Sequence, residues 1–292
     1  MTASARPPRP QTVLQVLRVH RPTTHLVRLT LADLPDGPRP GADGFDGFAE
    51  RWAAKDATDQ YVKLLFAEPS LGLVPPYDMD ALREHLAPEQ MPVRRTYTVR
   101  RVDTDARTLD IDVVHHGDDG LAGPWAARAE PGDVVAFFGP GGGYRPDPNA
   151  DAHVLAGDES ALPAIAASLE DLARTAPQAR GVALIEVAGP EDELELLAPA
   201  GVRVCWLHRG GAFSPQASRW PAALAGLDWP AGRVHAFVHG EREQVKIARR
   251  HLTQVRGMDR REMSVSAYWA YGRVEDAFQA EKRTPVGQIF ED

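Results

Sequence analysis

At 292 residues the chain is long enough for two domains of ordinary size, and 43% apolar with 25% charged residues is the composition of a folded globular protein. Thirty-three basic against 41 acidic side chains leave a net charge of −8, which excludes a nucleic-acid binder held by general electrostatics. No run of 18 apolar residues occurs, so no membrane insertion is expected. A single cysteine, Cys205, excludes an internal disulfide or a four-cysteine iron–sulfur cluster.

Residues 1–10 are small, polar and proline-rich without an apolar stretch, which reads as a frayed tail rather than a secretion signal, so a cytoplasmic location is expected. Residues 12–20 and 25–31 alternate as half-buried strands do, joined by Arg21-Pro22-Thr23-Thr24. Strand-like runs follow at 61–66, 93–101, 108–115 and 133–138. Six such runs with few helical interruptions predict a closed six-stranded antiparallel barrel over residues 10–140. Residues 33–60, rich in Gly, Pro and Asp, read as a long surface insertion, and a short helix is expected over 125–129.

The stretch from Gly139 through Pro148 reads as a linker, assigned to residues 141–150. Beyond it the pattern changes. Apolar runs at 153–156, 181–187, 202–207 and 234–238 alternate with helical patterns at 162–173 and 243–252. That alternation predicts a parallel sheet covered by helices over residues 151–292, ending in a C-terminal helix. Ten histidines show no HxxxH or HExxH spacing, and His115 and His116, adjacent on a strand, point to opposite faces, so no protein-bound metal is expected. Cys205, inside the apolar run at 202–207, reads as a core residue.

Arg95-Thr96-Tyr97-Thr98 carries the densest chemical information. On a strand Arg95 and Tyr97 share one face, and Thr96 and Thr98 the other. A guanidinium fork suits a phosphate, and a phenol ring offers a stacking surface. A second motif, Gly157-Asp158-Glu159-Ser160-Ala161-Leu162-Pro163, follows the first parallel strand and opens a helix. There Gly157 permits close approach, Ser160 can cap the helix, and the helix start attracts a pyrophosphate. In a third, Gly120-Leu121-Ala122-Gly123-Pro124-Trp125, small residues before a helix expose backbone donors. A basic run of Lys246, Arg249, Arg250, Arg256, Arg260 and Arg261 reads either as a solvated face or as a docking point for an anion.

These motifs occur in order with Trp125-Ala126-Ala127-Arg128, Gly139-Pro140-Gly141-Gly142, Trp206-Leu207-His208-Arg209 and Tyr268-Trp269 followed by Gly272-Arg273. Together they closely resemble the siderophore-interacting protein family of FAD-dependent ferric-siderophore reductases, over residues 12–283. The resemblance implies an FAD-binding barrel followed by an NAD(P)H-binding α/β domain, as in ferredoxin reductases. It implies that Arg95 binds flavin phosphate, Tyr97 packs on the ring system and Thr98 lies near the flavin N5. It adds Val114, His115, Gly120, Ala122, Gly123 and Trp125 to the FAD site, and Asp158, Glu159, Ser160, Arg209 and Glu241 to cofactor binding. Lys63, Arg145 and Arg273 are the expected basic contacts to a ferric siderophore.

The chain departs from the family pattern in places. Gly123 lacks a hydroxyl found there in the family, Ser160 stands where threonine is usual, and Ala270 and Tyr271 replace two basic residues. The resulting expectation is a reductase that takes hydride from NADH or NADPH into FAD and passes electrons to a siderophore-bound Fe(III). Two alternatives stay open: a flavin reductase with a quinone, protein or other small acceptor, and a flavin- or siderophore-binding sensor or carrier. The acidic turn at 186–193 favours NADH, whereas Arg209 favours NADPH. Oligomeric state is not readable, and a monomer is compatible with the sequence.

Overall fold

Apolar side chains at every second position build the first half. The computed structural model describes residues 10–115, 117 and 120–290; the tail at 1–9 and His116 lie outside them. Strands β1 (Gln11–Thr23) and β2 (Leu26–Ala32) meet at a tighter turn than expected, with β1 running through Thr23. They are followed by β3 (Ala42–Asp43), helix α1 (Phe45–Ala53), β4 (Tyr61–Phe66), α2 (Met79–His85), β5 (Val93–Asp103), β6 (Thr108–Val114), α3 (Ala122–Arg128) and β7 (Val134–Gly141). Val27, Leu29 and Leu31, Val62 and Leu64, and Leu109, Ile111 and Val113 all point into one core. The strand order β2-β6-β5-β4-β7-β1, with β1 returning to pair with β2, closes six antiparallel strands into a barrel.

Two expectations for this half need correction. Residues 33–60 are not only a surface insertion, because α1 inserts Phe48 fully, and Phe45 nearly so, into the barrel core. Gly44 and Gly47 obscure its helical signal. The supposed linker is an integral part of the fold. β7 continues to Gly141, and the Asp59 carboxylate accepts from the backbone N–H groups of Gly143 (2.8 Å) and Tyr144 (2.9 Å). The buried Tyr144 ring then packs on Phe237 (centroids 4.9 Å) and His235 (5.1 Å) in the second half.

The second half comprises β8 (Ala152–Gly157), α4 (Leu162–Thr175), β9 (Arg180–Val187), β10 (Gly201–His208), α5 (Trp220–Ala225), β11 (Val234–Glu241), α6 (Arg242–Arg250), β12 (Met263–Trp269) and α7 (Glu275–Glu281). The strands are parallel in the order β10-β9-β8-β11-β12, so the strand order reverses between β8 and β11. Their carboxyl ends form the crevice where ligands of such sheets bind. Sequence reasoning missed β12, an edge strand whose Ser264-Val265-Ser266 segment carries no continuous apolar run. Cys205 is half-buried rather than a core residue.

Helix α4 ties the halves together. Glu170 accepts from Arg100 of β5 (3.0 Å), and Ser168 and Thr58 share a hydrogen bond (2.8 Å). The Asp192 carboxylate, after β9, takes the His25 backbone N–H (3.1 Å) and ring nitrogen (2.8 Å) of the barrel. Among the described residues no helix is long and apolar enough to cross a membrane.

Candidate functional site

The register of β4 on β5 sets the first part of the site. Pairing of Leu64 with Arg95 and Val62 with Tyr97 puts that cation and ring on one face; Thr96 and Thr98 lie opposite Lys63 and Tyr61 on the other. Tyr97 packs partly buried against the barrel core. Burial pushes its phenol above the ordinary range, and the nearby Glu275 carboxylate adds to the rise. Arg95 donates to both carboxylate oxygens of Asp276 at the start of α7, at 3.0 and 3.2 Å. Thr98 is buried against Tyr268, at the carboxyl end of β12.

The second part lies at the turn into α3. Gly123 packs so closely on β6 that a Cβ there would stand 3.2 Å from the Val114 carbonyl oxygen, with the His115 ring next to it. The His115 Nδ1 is buried with no hydrogen-bond partner among the described residues. Trp125 meets Phe66 edge to face at 5.2 Å, and Ala122 is buried.

The third part is the crevice at the end of β8. Asp158, fully buried, accepts from the backbone N–H groups of Ser160 (2.9 Å) and Glu241 (2.7 Å) and from the Trp269 indole (3.0 Å). Burial, and secondarily the Glu159 charge, push its carboxyl up to about 6. Glu241 in turn caps α6 through Glu243 N–H (2.8 Å) and Gln244 N–H (3.0 Å), and accepts from Tyr271 N–H (3.0 Å). These two carboxylates therefore brace the sheet edge. Ser160 does not cap α4 as expected; its hydroxyl donates to Asp158, and the N-cap position is Ala161, which has no side-chain cap.

Gly157 also has a different reason from the one anticipated. A Cβ there would lie 2.2 Å from the His239 carbonyl oxygen and 2.7 Å from the Ala161 Cβ. The close approach it permits is that of β11. Gly157→Ala is expected to cost about 1–3 kcal/mol through overpacking, read as a lower thermal midpoint; an unchanged midpoint would show that β11 can yield.

Arg209, after β10, is ion-paired with Glu159 and donates to the Gly211 carbonyl oxygen (2.9 Å), leaving Nη1 buried and unpartnered. Its guanidinium lies over Phe213, which packs on Trp269 (4.7 Å) and Tyr271 (5.7 Å). Three carboxylates of the acidic turn are engaged within the fold, while Glu191 is exposed. Glu186 accepts from Trp220 N–H (3.1 Å), Asp192 is held by His25, and Glu193 by His208 (2.8 Å).

Of the three basic residues expected to line one opening, Lys63 and Arg273 lie near α7 and Arg145 does not join them. Arg273 donates to Glu281 of α7 (2.6 Å). The next residue, Lys282, has its ammonium pulled below the usual range mainly by burial and also by the charge of Lys63. Arg145 is engaged elsewhere, with both Asp171 oxygens of α4 (2.9 Å each) and with Asp56. The basic run at 246–261 is largely structural: Arg249 and Arg260 lie over the Phe290 ring and Arg256 over Trp229. Asp276 and Glu275 are site residues that sequence reasoning missed; nothing local in the sequence links them to β5. Among the described residues no group of three or more His, Cys, Asp or Glu side chains is placed to hold a metal.

Residues 15–144 match the siderophore-interacting FAD-binding domain, and residues 150–272 match the siderophore-interacting protein domain. An uncharacterized protein of Mycobacterium tuberculosis is 41% identical over 291 residues, covering 94% of this chain and 95% of the relative. Ferric vibriobactin reductase ViuB of Vibrio cholerae is 31% identical over 287 residues (95% and 96%), and the NADPH-dependent ferric-chelate reductase of Escherichia coli 30% over 258 residues (88% and 91%). A siderophore utilization protein from T. fusca superposes with a TM-score of 0.73 at 38% identity, covering 90% of this chain and 94% of that one. The fold is also that of a ferredoxin NADP+ reductase from Neisseria gonorrhoeae, with a TM-score of 0.61 at 16% identity over 88% and 98% of the two chains. The chain belongs to the siderophore-interacting protein family.

Proposed function

We propose that the protein is an NAD(P)H-dependent flavoenzyme of the cytoplasm that reduces a siderophore-bound Fe(III) and releases Fe(II). The matched FAD-binding domain makes FAD the resident cofactor. The residues present fit it: the Arg95 fork already holds two oxygens of an anion, and the buried His115 Nδ1 lacks a partner beside Gly123. Bound there, FAD would supply the redox chemistry, hydride acceptance from the nicotinamide and one-electron delivery to iron.

The chain's own residues position and shield. Arg95 would take the flavin phosphate, Tyr97 would supply a ring face, and Thr98 is the residue the family resemblance assigns to the flavin N5. Val114, His115 and the turn from Gly120 through Trp125 line the remainder. The crevice over Asp158, Glu159, Ser160, Arg209 and Glu241 takes the nicotinamide nucleotide, with Asp158 and Glu241 acting as braces for it. Lys63 and Arg273, both near α7, would give an anionic ferric siderophore its attraction, while Arg145 serves the barrel–α4 contact.

The observation that carries this reading is the pairing of Arg95 with an anion on the same face as Tyr97, within a matched FAD-binding domain. Arg95→Ala is expected to weaken FAD binding about 10- to 100-fold, the loss of a charge-assisted hydrogen bond. Flavin absorbance after gel filtration checks this, and full FAD retention would remove Arg95 from the site. Stopped-flow reduction by NADH and NADPH, then reoxidation by ferric siderophores and by quinones, tests the reaction itself. A second reading, the same fold with a quinone or protein acceptor, draws on Ala270 and Tyr271. Ala270 is packed against Phe278 and Tyr271 exposes its ring, so neither supplies charge to an anionic chelate. Reoxidation by quinones alone would select it.

A further inference from the structure

Arg95, the residue assigned to the flavin phosphate, is occupied by one of the protein's own carboxylates. Its two terminal nitrogens meet the two oxygens of Asp276 at 3.0 and 3.2 Å. The partners differ in freedom: the Arg95 side chain is 16% exposed and that of Asp276 60%. The cation is fixed by the barrel, and the anion is the part able to leave.

Asp276 belongs to the first turn of α7, and its neighbour Glu275 acts on Tyr97. Both carboxylates therefore stand over the face that carries Arg95 and Tyr97. The far end of α7 is anchored to the other half. Phe278 is buried among Ala267, Ala270 and Ile289, and Glu281 accepts from Arg273 (2.6 Å) and Arg242.

We propose that Asp276 is an internal rival for the flavin phosphate, and that loading of FAD displaces the first turn of α7 from Arg95 while Phe278 and Glu281 hold its other end. A half-exposed carboxylate contributes little net affinity to such a pair, whereas a diphosphate brings more charge and more acceptor oxygens to the same fork. Asp276 thus tunes how tightly the chain keeps its flavin. The inference rests on the assignment of Arg95 to the flavin, and the test separates the two.

FAD is titrated into flavin-free full-length protein and followed by quenching of flavin fluorescence, for wild type, Asp276→Asn, Arg95→Ala and the double variant. Asp276→Asn is expected to tighten binding about two- to fivefold, the reciprocal of a weak ion pair. In the Arg95→Ala background the same change is expected to do nothing, since no fork remains to contest. Asp276→Ser serves if the asparagine variant folds poorly. Unchanged or weaker FAD binding on removing the carboxylate, with Arg95→Ala still losing flavin, overturns the rivalry and leaves the Arg95 assignment standing. Wild-type affinity in Arg95→Ala overturns both.

Discussion

Replacing Asp158 with alanine is expected to lower the stability of the chain by about 3 kcal/mol at neutral pH, because each buried donor stripped of its acceptor costs about 1–3 kcal/mol. Four donors converge on that carboxylate from three segments: the Ser160 N–H and hydroxyl, the Glu241 N–H and the Trp269 indole. The losses fall on the carboxyl ends of β8, β11 and β12 together. Asp158→Asn keeps one acceptor oxygen and is expected to cost less. The pH dependence has a definite sign. Burial and Glu159 raise the folded carboxyl from 3.8 to about 6, so the folded chain binds this proton more readily than the unfolded one. Its contribution is present below 3.8 and fades as pH rises through 6. The gap between wild type and Asp158→Ala is therefore expected to widen by about 2 kcal/mol from pH 7 to pH 4. Urea midpoints at the two pH values measure it, and equal gaps would contradict the assignment.

His153→Leu is expected to show the opposite behaviour. The His153 ring is fully buried on β8, neither nitrogen has a partner, and the His235 ring stands 6.4 Å away. Burial, with the His235 charge second, pushes its pKa down from 6.5 to about 4. The neutral ring is thus the folded form. Its contribution is complete above 6.5 and is lost as pH falls towards 4, when the unfolded chain takes up a proton that the folded chain refuses. A leucine of similar size removes two unsatisfied buried atoms and the titration with them. At pH 8 the variant is expected to equal or exceed wild type, and by pH 4 its relative stability should grow by about 3 kcal/mol. Chemical denaturation of both proteins across that range is the measurement. A relative stability that stays flat would mean that the folded ring accepts a proton.

How much of this was legible in the sequence depended on whether one local pattern carried the information. The bounds of β4 at residues 61–66 could be read directly, because Val62 and Leu64 turn to the core in alternation with Tyr61 and Lys63. The parallel strands were legible as short apolar runs, since helices cover both faces of that sheet. β12 was not, because an edge strand needs no continuous apolar run. The helix carrying Phe45 and Phe48 was hidden by glycines on both sides of the first aromatic. In the site, strand alternation was enough to put Arg95 beside Tyr97. Their acidic neighbours on α7 were not legible, because 181 residues separate Arg95 from Asp276 and only the tertiary fold joins them. Ser160 failed as a cap because Asp158, two residues earlier, claims its hydroxyl.

The bonds from Thr58 and Arg100 to α4 have a consequence for motion. Arg100 lies on the strand that carries Arg95, Tyr97 and Thr98, and α4 rises from the turn that bears Asp158. The two ligand-facing edges are thus opposite jaws of a vice whose screw is already tightened. Interfaces without such cross-ties leave relative domain motion as the default. The cross-ties in this chain are expected to hold the width of the gap when ligands enter. Small-angle scattering profiles with and without a nicotinamide nucleotide should then superimpose.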